Sequence, residues 1–139
     1  MPLKHEKFVA KVRDRNAQQL EEGEQIERSV GGQTGRIHLG PLLNLIDAGR
    51  RFAGKLETRL IVLTNRNVYV AYPGFFGQFE MKAVKAKFPR NEAAAHLRLG
   101  GRGDELDVDG EHIYFRLGTM KHVRDLVEAA TGRSAESEG

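Results

Sequence analysis

The chain predicts a mainly β domain with helices at its ends, on three observations. From residue 57 onward, short β-branched or alternating runs recur at regular spacing, bounded by glycine or acidic turns. Asp109-Gly110 separates the last two runs, and both residues tolerate the left-handed backbone of a two-residue hairpin turn. The stretch TMKHVRDLVEAAT that follows has helical rather than strand periodicity. A chain of 139 residues suits one domain able to bury its own core.

Residues 4–20 have helix-forming composition, with Phe8, Val9, Val12 and Leu20 roughly on one side and Lys4, Lys7, Lys11, Arg13 and Arg15 flanking them. A helix docked on the domain is expected. Gly23 is a helix stop, Gln25 to Val30 read as the first strand, and GGQTGRIH reads as a glycine-rich connection. It is not a phosphate loop, because Gly35 is followed by Arg36 and Ile37 rather than Lys-Ser/Thr. Residues 41–53 open with Pro41 and carry Leu42, Leu45, Ile46 and Phe52 at helical spacing, so a short helix is expected inside a long connection between strands 1 and 2.

ETRLIVLT, NVYVAY, QFEMKAVKAKF, AHLRLG, DELDVD and HIYFRL then supply six further strands. In the third of these, Phe79, Met81 and Ala83 share one parity and Val84, Ala86 and Phe88 the other, which requires a bulge or a sharp bend. Thr119 is the expected cap of the last helix; Met120, Val123, Leu126, Val127 and Ala130 form its apolar face, and Gly132 ends it. Between the second and third strands, Asn65, Arg66 and Asn67 read as turn chemistry, since asparagine tolerates positive φ and bonds to its own backbone.

LEEGEQI and RLIVLTNRNVYV resemble the bacterial PH-like (pleckstrin-homology-like) domain families, through Leu20, Gly23, Glu24, Ile26, Leu63, Thr64, Asn65, Arg66 and Val68. The resemblance implies a PH-like seven-stranded antiparallel barrel or sandwich, in two near-orthogonal sheets, capped by a C-terminal α-helix. To this the chain adds an N-terminal helix and a short helix in the strand 1–2 connection. The expected division is 1–19 as N-terminal helix, 20–132 as PH-like domain and 133–139 as a disordered tail. Asn67 stands where a second basic residue is common in these families, and the connection from 31 to 56 is longer than a simple hairpin loop.

No catalytic motif is present, so the chain reads as no enzyme. There is no cysteine, no Gly-x-Ser-x-Gly, and no HxH, HxxxH or HExxH spacing among His5, His38, His96, His112 and His122. DVDGEH mimics the start of a calcium loop but has Gly118 where the bidentate glutamate belongs. No cofactor and no metal are expected. Absence of an apolar leader and of a run of about 18 apolar residues gives a cytoplasmic expectation, with any membrane contact peripheral to the inner membrane face.

Formal net charge is +3, with basic stretches at 1–16, 36–66 and 78–102 alternating with acidic ones at 17–35 and 103–115. Lys82, Lys85, Lys87 and Arg90 are basic without exposed aromatic platforms, because parity puts Phe79 and Phe88 in the core; specific nucleic-acid binding is disfavoured. The favoured function is a non-catalytic interaction module binding a protein partner, with homo-oligomers as one form. The alternatives are peripheral binding of anionic lipid or a phosphorylated headgroup through Arg36, Arg50, Arg51, Lys55 and Arg66, and a barrel that binds a small ligand.

Overall fold

Seven strands form one antiparallel sheet: β1 (Ile26–Gln33), β2 (Thr58–Thr64), β3 (Asn67–Pro73), β4 (Met81–Pro89), β5 (Leu97–Leu99), β6 (Glu105–Val108) and β7 (Glu111–Tyr114). Their order is β4-β3-β2-β1-β7-β6-β5. The computed structural model describes residues 5–34, 58–73, 79–100 and 103–132. Within these, three helices accompany the sheet: α1 (His5–Asn16), the short α2 (Ala93–His96) and α3 (Leu117–Thr131). The helix expected at 41–53 lies outside the described residues.

Where two sheets were expected there is one, and it is open. Sequence neighbours pair except β4 and β5, and β1 joins the halves by pairing with β2 along its length and with β7 through Gln33 and Tyr114. β4 and β5 remain as its edges, so a closed barrel is not formed among the described residues. Glycines make the junction. A Cβ on Gly32 would lie 2.7 Å from Phe115 Cε1, 2.8 Å from Ile113 Cγ2 and 2.8 Å from the Tyr114 carbonyl oxygen. Gly31 and Gly32 are therefore strand residues, not the start of a loop, and Gly32 is the one that lets two backbones approach closely.

The apolar run of β2 is continuous because the strand is covered on both faces. Ile61 and Leu63 join Val30, Val68, Val70, Phe88, Leu106, Ile113 and the α3 residues Val123, Leu126 and Val127 in an inner core. Leu60 and Val62 join Val9, Val12, Ile26, Tyr69, Ala71 and Met81 in an outer core under α1. Burial of each large aliphatic side chain contributes roughly 1.5–3 kcal/mol.

α1 presents Val9, Val12 and Asn16, one helix face, to the sheet. Asn16 is wholly buried and fully bonded. Its Nδ2 donates to the carbonyls of Val12 (2.7 Å) and Phe79 (2.8 Å), and its Oδ1 accepts the Met81 N–H (2.7 Å), tying the end of α1 to the first residue of β4.

The expected irregularity of β4 is present twice. Register shifts opposite Val70/Ala71 and Tyr72/Pro73 leave Lys85 and Lys82 without partners on β3. The first shift turns Val84 to the side of Ala71, where it is 45% exposed, instead of grouping it with Phe88. Lysines at bulges on an edge strand oppose pairing with another chain.

Asp109 (φ 52°) and Gly110 (φ 91°) make the expected hairpin turn, and the Gly110 N–H reaches Asp107 Oδ1 at 2.7 Å. α3 begins earlier than expected, after Arg116, with no side-chain cap, so Thr119 is inside the helix. Gly132 (φ 73°) closes it, donating to the Glu128 carbonyl. No helix among the described residues is long and apolar enough to cross a membrane.

Candidate functional site

Three polar assemblies stand out against this frame. The first lies where the lead-in to β1 meets the β2–β3 hairpin. Gly23 (φ 79°) turns the chain so that the Glu24 carboxylate, 6% exposed, points inward. It accepts from Thr64 Oγ1 (2.5 Å), Tyr69 Oη (2.8 Å), Asn67 Nδ2 (2.9 Å) and the Glu21 N–H (3.0 Å). Burial alone would raise this carboxyl; the donors, Thr64 first, outweigh it and hold the group at about 2. The Tyr69 hydroxyl is pushed the other way, by burial and by the Glu24 carboxylate.

Thr64 Oγ1 also accepts the N–H groups of Arg66 (3.1 Å) and Asn67 (2.8 Å), which makes the hairpin turn. Asn65 does not take positive φ; among the described residues Asp109 is the one non-glycine that does. Asn65 instead fastens the lead-in, accepting the Gln25 N–H at 2.8 Å and donating to the Gly23 carbonyl at 3.2 Å. Most of the residues that carry the PH-like resemblance thus meet in one structural knot.

The second assembly lies at the opposite end of β2, where the strand 1–2 connection departs after Thr34 and returns at Thr58. Arg59, 3% exposed, donates from Nε and Nη2 to the two oxygens of Glu111 at 3.0 and 3.3 Å. Its guanidinium lies 4.4 Å from the centre of the Tyr72 ring. Lys85, at the β4 bulge, pairs with Oε2 of the same carboxylate, the oxygen that Arg59 Nη2 also meets. Burial acts to raise Glu111, and the bonds from Arg59 and Lys85 bring it below the usual carboxylate range.

Of the anion-site candidates, Arg36, Arg50, Arg51 and Lys55 lie outside the described residues. Arg66 is exposed at the β2–β3 turn, with its guanidinium beside Gly23. A strand of this length puts it about 20 Å from Thr58, so Arg66 is at the other end of the sheet from both ends of that connection. Lys87 of β4 and Arg90, just after it, are also engaged. Arg90 bonds the carbonyls of Thr64 (3.1 Å) and Ala129 (3.0 Å) and pairs with Glu27 at 2.8 Å, while Lys87 lies 5.4 Å over the Tyr69 ring. Phe88 is in the core as expected, and Phe79 packs partly buried against α1.

The third assembly lies under α1. His5 and His122 stack with ring centroids 3.6 Å apart and planes 8° from parallel. They line a cleft of about 250 Å³ with Glu6, Val9, Arg13, Glu27 and Arg28. A second cleft, of about 410 Å³, is lined by Arg13, Ala17, Leu20, Glu24, Gln25 and Ile26. The two histidines are 117 positions apart in the chain, so no spacing rule could pair them. His96 and His112 instead meet Asp109 and Glu105, at 2.7 and 2.9 Å.

In the first assembly the buried hydroxyls of Thr64 and Tyr69 are committed to the Glu24 carboxylate, itself held at about 2. Ser29, the described serine, is wholly buried and donates to the Ile61 carbonyl at 3.0 Å. Among the described residues no group of three or more His, Cys, Asp or Glu side chains is placed to hold a metal ion. Two signals in the sequence pointed to the Glu24 knot: the lead-in and hairpin residues that carry the PH-like resemblance, and Thr64, Asn67 and Tyr69 as polar points in a largely apolar hairpin. No family model, curated protein or solved structure matches the chain.

Proposed function

We propose that the chain is a non-catalytic interaction module of PH-like fold that binds a protein partner, self-association being one form of that binding. The observation that carries this reading is the commitment of its buried polar groups. Asn16, Glu24, Ser29, Arg59, Thr64 and Asn67 are each bonded within the fold, which leaves recognition to the outer surface. The strand order, with β1 bridging two hairpin-connected halves and α3 over the inner core, supports the PH-like assignment. From fold to binding the step is analogy. The inner core is filled by side chains, and both clefts described above lie beneath α1, which counts against a ligand inside a barrel.

Light scattering across a concentration series tests self-association, and affinity capture from the source organism's lysate at physiological salt tests a different partner. The expected result is a higher-mass species or a protein retained in stoichiometric amount, with no sedimentation on anionic vesicles. A strict monomer that captures nothing but sediments with anionic vesicles, and loses this in Arg50→Ala/Arg51→Ala/Lys55→Ala, overturns the reading in favour of a lipid headgroup.

A further inference from the structure

We infer that the stacked His5 and His122 rings are an acid-sensitive latch, which holds the first turns of α1 to α3 and releases them when the pair is protonated. The two rings come from different helices and overlap face to face at 3.6 Å. His5 also stacks on Phe8 (5.8 Å, 12°), and Phe8 meets Phe79 edge-on at 5.3 Å, so the latch continues an aromatic row along α1.

Charges around the pair favour the neutral rings. β1 brings Arg28 and Glu27, α3 brings Lys121 and Asp125, and α1 itself brings Glu6 and Arg13. Glu27 is paired with Arg90 at 2.8 Å, and Arg13 donates from Nε to the Ile26 carbonyl at 2.8 Å. Arg28 and Lys121 bear on both rings as positive charges, and Asp125 is the carboxylate that opposes them. Burial is the largest influence on each ring and acts in the same direction, so both imidazoles are held below the ordinary histidine value. Two imidazolium rings at stacking distance would repel each other across a partly buried contact.

The sign follows from linkage. With pKa values lowered in the docked state, docking is at full strength above about pH 6.5, where free imidazole is neutral, and weakens as pH falls below that value. Release is local. Val9, Val12 and Asn16, further along α1, hold the rest of the helix in the outer core.

Amide hydrogen exchange on the full chain tests this. Protection factors for residues 9–11, whose N–H groups bond back to the carbonyls of residues 5–7 at the start of α1, are compared with those of β2–β3 and α3 at pH 7.5 and 5.0, in wild type and His5→Gln/His122→Gln. In the wild type, protection of residues 9–11 is expected to fall relative to β2–β3 between pH 7.5 and pH 5.0, the direction set by rings held below the free value in the docked state. The double variant is expected to lack that fall. A proton NMR titration of the wild-type ring signals is a second readout needing no substitution, and both midpoints are expected below 6.5. The latch is overturned if wild-type protection of residues 9–11 does not change, if the fall persists in the double variant, if α3 and β2–β3 lose protection with it, or if either ring titrates above 6.5.

Discussion

Thr64 and Glu24 meet at 2.5 Å between hydroxyl and carboxylate, 40 positions apart in the chain. The same threonine oxygen accepts the N–H groups that shape the β2–β3 turn. The lead-in to β1 and the hairpin are therefore held by one side chain, and Glu24 is the residue on which the other donors converge.

Stability should fall in acid through this group. Its unfolded value is 4.5 and its folded value about 2, so the stabilisation is complete above about pH 4.5 and is lost as pH falls from there through 2. The whole contribution is on the order of 3 kcal/mol. Urea melts at several pH values should show Glu24→Gln less stable than wild type at pH 7, with the gap closing below pH 4. An equal gap at pH 7 and pH 2.5 would show that the charge is not what Thr64, Asn67 and Tyr69 stabilise.

Gly32→Ala should destabilise the domain by about 2–3 kcal/mol, because the new Cβ meets backbone and two core side chains at 2.7–2.8 Å. Gly31→Ala is the control. Its Cβ meets Phe8 Cζ at an ordinary 3.6 Å, and a change within about 1 kcal/mol is expected. Thermal melts of the two variants decide it: equal losses would remove the close β1–β7 approach as the cause.

Leu126→Asp should leave the chain unfolded at 25 °C, since it sets a carboxylate in the wholly buried inner core. Arg124→Asp, on the exposed side of the same helix, should stay within about 0.5 kcal/mol of wild type. Far-UV circular dichroism separates the outcomes. A cooperative melt of Leu126→Asp near that of wild type would contradict the placement of α3.

At the connection end, Glu111→Ala should cost about 3 kcal/mol by leaving the Arg59 guanidinium buried without its carboxylate, while Lys85→Ala should cost under about 1 kcal/mol. The difference follows from exposure: the Arg59 side chain is 2% accessible and that of Lys85 34%. A double-mutant cycle on Arg59 and Glu111 should return the larger coupling. Comparable coupling for Lys85 and Glu111 would mean that Arg59 is not the dominant partner.

The seven strands, the Asp109-Gly110 turn and the amphipathic face of α3 were legible in the chain, because each rests on a pattern that repeats within a few residues: period two, a turn dipeptide, or period 3.6. β4 was half legible. Its parity change announced a bulge, but which side Val84 takes depends on two register shifts against β3. Tertiary structure alone decided the rest. That Gly31 and Gly32 belong to a strand rather than a loop follows from their pairing with Leu60 and Arg59 of β2, and the need for glycine at 32 from where Ile113 and Phe115 pack. Arg66 lies apart from the ends of the strand 1–2 connection because β2 runs its full length between them. Glu24 is marked in the sequence by its place in the lead-in to β1, but its partners Thr64, Asn67 and Tyr69 come together only in the fold, and His5 and His122 read as isolated until their rings stack. Periodicity reports which face a residue takes on its own element; which elements then share that face is settled by packing between distant segments, and buried polar partners are chosen there.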